Sequence, residues 1–142
     1  IIEYWGAIVR EIKFRIFHKG KMYPVKGITE FNRAIIEHGT MPSKCVDIED
    51  NLMQYSGEKD RNGNEIYEGD IVKIRYFVVP TGKDVVDICS VRHGRYSPST
   101  YGTSVQDTHL GWHLSPGTFG EEFSLNNDCE IVGNIYENKD LL

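Results

Sequence analysis

The residue types best suited to chemistry crowd into one stretch, "LMQYSGEKDRNGNEIYEGDIVKIRY", residues 52 to 76. Asp60, Asn62 and Asn64 stand at alternate positions, as the first oxygen ligands of a calcium loop do. Such a loop also needs Gly at its sixth position and a bidentate Glu at its twelfth. Glu65 and Ile71 occupy those places, so the spacing predicts a tight turn in which Asn62-Gly63 supplies the positive φ values. Glu65, Glu68 and Asp70 could form an acid/base set, which requires burial or close like charges to perturb their pKa values. Their position at the start of a strand predicts instead that they face water. Asp70 is expected to accept hydrogen bonds from the local backbone in an Asx-type turn.

Other constellations are weaker. His109 and His113 in "HLGWH" could share a zinc ion on a helix. Gly111 and the surrounding pattern favour a strand, where the two would stand roughly 13 Å apart, too far for one metal. Ser104, Asp107 and His109 contain the residue types of a hydrolytic triad, but a triad is defined by geometry, and the polar loop around them would hold such residues in any case. The three cysteines, Cys45, Cys89 and Cys129, are widely spaced and read as reduced, mostly buried thiols. No phosphate-binding loop, dinucleotide fingerprint or G-x-S-x-G elbow is present. The expectation is therefore no catalytic residue, no cofactor and no bound metal. A basic stripe remains: Arg10, Lys13, Arg15, Lys19 and Lys21, with Phe14, Phe17 and Tyr23 among them. Basic residues interleaved with aromatics on strands can bind single-stranded nucleic acid, although alternation places Phe14 on the face opposite Lys13 and Arg15.

The elements that must position these residues are mostly strands. "REIKFRIF" alternates apolar and charged residues, "HKGKM" turns, and "MYPVKGI" returns as an edge or irregular strand because Pro24 cannot donate to a ladder. "TEFNRAIIEHG" is predicted to be a helix, with Thr29 as its cap and Gly39 as its stop. "GTMPSK" reads as a loop and "CVDIEDNLMQYS" as strand or irregular structure. "EIYEGDIVKIRYFVV" predicts a strand with Val72, Ile74 and Tyr76 on one face and Lys73 and Arg75 on the other. "VVDICSVRH", "HLGWHL" and "CEIVGNIYE" follow as further strands, separated by "PTGKD", a long loop over residues 94 to 108, and "SPGTFGEE". Many short strands with turn signals predict an all-β or β-rich fold, barrel-like, with one or two short helices.

With 142 residues the chain fits a single domain, with a possible division into an N-terminal hairpin and helix part (residues 1–57) and a barrel-like part (58–142). The net charge of −5 argues against general affinity for nucleic acid and leaves room for a local basic face. No apolar run approaches the ~20 residues of a membrane-spanning helix, and the start, "IIEYWGAIVR", lacks the basic lead of a signal peptide. A cytoplasmic protein is expected.

Three blocks then point to a family. "REIKFRIF…KGKMYPV", "LMQYSGEKDRNGNEIYEGDIVKI" and "IVGNIYENKDLL" resemble, in order, the YopX family of small proteins encoded mainly by phages and prophages. The resemblance implies a β-rich fold, a phage or prophage origin within a bacterial host cell, and no enzyme activity, since it brings no catalytic residues with it. Family members typically begin with Met just ahead of the "REIKF" block. Val9 stands there, so translation is expected to start at Val9, with "IIEYWGAI" upstream. The functional expectation is a non-enzymatic accessory protein that binds a host or phage protein. The alternative is a nucleic-acid-binding module using the basic first hairpin. Tyr4, Trp5 and Ile8 offer an apolar cluster on which copies could pair as a homo-oligomer.

Overall fold

The computed structural model describes residues 11–49, 51–78, 81–97, 108–115 and 122–142. Of these, 65% lie in strands and 3% in helix, and a curled half-barrel sheet is present. The β-rich expectation therefore holds. The helix is a single 3-10 turn, Lys139–Leu141. The chain divides into two compact units, Ile1–Gly57 and Glu58–Leu142. Trp5, Tyr4, Ile8, Val9 and Arg10 lie outside the described residues, as do Ser104 and Asp107.

In the first unit, β1 (Phe14–His18) and β2 (Lys21–Pro24) form a hairpin turned by Lys19 and Gly20, both at positive φ. β1 also pairs with the first residues of β6 (Leu52–Lys59), so β2 is an edge strand and Pro24 has no ladder bond to spoil. A second small sheet holds β3 (Gly27–Ile28), β4 (Arg33–His38) and β5 (Met41–Asp47) in that order. The expected helix at Thr29–Gly39 is thus a turn followed by a strand. Thr29 does act as a capping residue, accepting from the N–H groups of Phe31 (3.3 Å) and Arg33 (3.2 Å). The turn it caps contains Asn32 at φ 54°, which no helix start tolerates. The alternation beyond it then buries Ala34 and Ile36 and exposes Arg33 and Glu37. The expected loop at "GTMPSK" is likewise mostly strand. Pro42 is accommodated because β5 lies at the sheet edge. Ile16, Ala34, Ile36 and Val46 form the core of this unit, with Tyr23, Val25, Ile48 and Leu52 packed around it.

In the second unit, β7 (Glu65–Tyr67) follows the turn at residues 60–64. A tight turn at Glu68 and Gly69 leads into β8 (Asp70–Val78). β8 pairs with the 14-residue β9 (Lys83–Tyr96), and β9 with β10 (His109–Ser115). β11 (Phe123–Ser124) and β12 (Cys129–Asn134) complete a five-stranded antiparallel sheet, ordered β11-β10-β9-β8-β12. One face carries the core: Val72, Ile74, Cys89, Val91, Leu114 and Cys129, joined by Ile66 and flanked by Tyr76, Trp112 and Phe123. The opposite face of β8 presents Lys73, Arg75 and Phe77 to solvent, the alternation expected of a half-buried strand.

Candidate functional site

The carboxylate stretch is built as architecture. Asp60 is only 5% exposed. One of its oxygens accepts from the N–H groups of Asn62 (3.0 Å) and Asn64 (2.9 Å). The other accepts from the Ile131 N–H on β12 (3.1 Å) and from Asn64 Nδ2 (3.4 Å). Gly63, at φ 84°, closes the turn by donating to the Asp60 carbonyl (3.0 Å). A carboxylate ringed by donors is the reverse of a cation site, which needs lone pairs left open. Burial pushes the Asp60 carboxyl up, but the N–H groups of Ile131, Asn64 and Asn62 outweigh it and hold the group below the usual carboxylate range. The same turn is tied again to β12 by the Arg61 N–H on the Cys129 carbonyl (2.9 Å) and by an Arg61–Asp128 ion pair (2.8 Å).

Asp70 accepts from the Tyr67 N–H (2.8 Å), a local backbone bond as expected, but from a residue three positions before it and not from the later residue of an Asx turn. It does not face water, being 2% exposed, because the turn folds it inward while Gly69 bonds Val91 (2.8 Å) and Ile135 (2.9 Å) on either side. No group of three or more His, Cys, Asp or Glu able to hold a metal occurs among the described residues. His109 and His113 lie on one strand with the Tyr96 ring beside each, at 5.6 Å and 4.7 Å between centroids, the latter stacked. Tyr96 in turn hydrogen-bonds Ser124 (2.9 Å), so these rings act as packing. Cys89 and Cys129 are buried and Cys45 is exposed; all three are free thiols. Burial, then the nearby Asp60 and Asp128 carboxylates, push the Cys129 thiol up to about 11.

The basic stripe divides. Arg10 lies outside the described residues. Lys13 pairs with Glu11 (3.3 Å) and sits over the Tyr55 ring (4.8 Å), and Arg15 is half-buried on β1. Lys19 and Lys21 stand at the exposed tip of the hairpin, with Lys21 over Tyr23 (5.5 Å). Around this tip the fold gathers residues that no local pattern joins. His18, Tyr23 and His38 form a triangle of rings with centroids 5.7 to 6.4 Å apart. Burial, then the charges of Lys44, Lys19 and His38, lower the His18 pKa. The packing of β2 against β4, strands of two different sheets, brings this cluster together, and no local spacing encodes it.

On the second unit the solvent-facing side of β8, β9 and β12 forms a groove. Arg61, Lys73, Arg75, Val86, Asp128 and Glu130 line it. Lys73 pairs with Glu130 (3.6 Å), while Arg75 has no ion pair among the described residues. Phe77 (58% exposed) and Val86 (50% exposed) lie on neighbouring strands on this side.

Fold and surfaces together define a small β-rich protein whose buried Asp60 and Asp70 are spent on turns and whose exposed charged and apolar side chains lie largely on its strands. Residues 13–142 match the YopX protein family model, and the chain belongs to that family. No curated protein matches it. Among the described residues no helix is long and apolar enough to cross a membrane.

Proposed function

We propose that this protein is a non-enzymatic phage or prophage accessory protein, cytoplasmic in the bacterial host, that acts by binding a host or phage protein. The observation that supports this reading most is the groove face of β8, β9 and β12. Val86 is exposed and lines the groove among charges of both signs, and Phe77, also exposed, lies on the same side of β8 opposite Asp84. Exposed apolar side chains among polar and charged neighbours are a feature of protein interfaces. Arg75, a residue type enriched at such interfaces, stands opposite Val86 in register and is unpaired among the described residues. The family membership supports the phage setting, and the net charge of −5 disfavours a general polyanion binder.

Affinity capture from host lysate, infected and uninfected, tests this reading. Retention of a defined protein that survives nuclease and raised salt is expected. Retention that disappears with nuclease would contradict it.

A further inference from the structure

On the first unit, we infer that the His18–Tyr23–His38 cluster, with Lys19, Lys21 and Lys44, is a binding site for the phosphate groups of single-stranded nucleic acid. The inference goes beyond the protein-binding reading and uses a different surface.

The site grows out of the core of the unit. Ile16, Ala34, Ile36 and Val46 are packed together, and Tyr23 lies against them. Ile16 faces Tyr23 across the first hairpin, and Ile36 faces Lys44 across the second. One step outward along the strands, apolar residues give way to His18 opposite Lys21, and to His38. The His18 Nε2 is buried and has no hydrogen-bond partner. Lys19, Lys21 and Lys44 have no carboxylate partner among the described residues, whereas the acids of the neighbouring strands are taken: Glu37 pairs with Lys26, and Asp47 with Arg33. The groups acting on His18 from the turn, β4 and β5 are thus Lys19, His38 and Lys44, all basic, with Lys21 and Tyr23 on β2. Clustered cations with no carboxylate partner among the described residues, beside an unpartnered ring nitrogen, favour an anion as ligand. Tyr23 and the two imidazoles add flat surfaces of the kind on which bases stack, which favours a nucleic-acid strand over a free phosphate ion.

The site carries its own signature. Burial, then its cationic neighbours, hold the His18 pKa below the usual imidazole value. A phosphodiester placed among them reverses that field and raises its pKa, so binding takes up a proton and strengthens as pH falls. A phosphodiester does not change charge in this range, so the dependence reports His18.

Fluorescence anisotropy with a labelled single strand of about 15 nucleotides tests the inference on the full chain. Binding is expected to tighten at least ~5-fold from pH 8 to pH 6 at constant salt. His18→Gln with His38→Gln should flatten that dependence. Lys44→Glu should weaken binding by about tenfold or more, whereas Lys13→Glu, an identical charge change on Lys13 of the same unit, should leave it near wild type. Excess inorganic phosphate should compete only weakly. Equal losses for Lys44→Glu and Lys13→Glu, an affinity flat with pH in the wild type, or binding of inorganic phosphate without the oligonucleotide would each overturn the inference. Lys44→Gln, which removes charge without reversing it, guards against a folding defect: wild-type binding by this variant would also overturn it.

Discussion

The residue that most changes in meaning is Asp60. As a letter in "DRNGNE" it resembles a metal ligand; in the fold it is an acceptor for four N–H donors. Removing it leaves the Ile131 N–H inside the protein without its acceptor. Asp60→Ala is expected to destabilise the protein by about 3 kcal/mol, measured as a shift in the chemical denaturation midpoint, and added calcium should not restore it. The folded pKa of Asp60 is depressed, so its contribution is complete above the unfolded value of about 3.9 and is lost as pH falls through the lower folded value. Stability should therefore drop below about pH 4, and less steeply in Asp60→Asn. Cysteine chemistry divides along the same lines. At pH 8 a thiol reagent should modify Cys45 in the native protein, with Cys89 and Cys129 reacting only after denaturation, as read by intact mass. The turn at Asn62-Gly63 was legible in the sequence. The bond from Ile131 to Asp60 was not, because it spans 71 positions and no local pattern encodes it.

At the scale of elements, alternation was a sound guide wherever one face is buried. Val72, Ile74 and Tyr76 point inward and Lys73 and Arg75 outward, as their order predicts. The reading failed at Thr29–Gly39, where cap, stop and helical spacing all suggested a helix. The positive φ of Asn32 and the pairing of β4 between β3 and β5 decided for a strand, and neither is visible in a local window. The C-terminal family block also has a structural purpose. Gly133 lies at an irregularity in the β12 register, and an added Cβ there would fall 2.5 Å from the Asn138 side-chain oxygen. That oxygen accepts from the Asn134 N–H (3.2 Å), while the Asn134 side chain accepts from the N–H groups of Tyr136 and Glu137, both at 3.0 Å. Gly133→Ala should displace Asn138 and cost about 1–3 kcal/mol, read as a lowered thermal midpoint, whereas Gly82→Ala has open space around it and is strained only by its φ of 63°.

For the whole molecule, the β-rich class was legible because strands short enough to alternate are punctuated by turn residues throughout. The candidate surfaces were not. The groove on the second unit needs β8, β9 and β12 side by side, and the ring cluster on the first needs two hairpins brought together. Buried residues build the turns and core, and the surfaces proposed to bind partners consist of side chains on strands and turns. The measurement that tests this most directly is capture of the protein partner by Phe77→Asp/Val86→Asp, compared with wild type at equal loading. Both positions are exposed, so the stability should stay within about 0.5 kcal/mol of wild type, while partner retention should be lost. Undiminished retention by the variant would contradict the account.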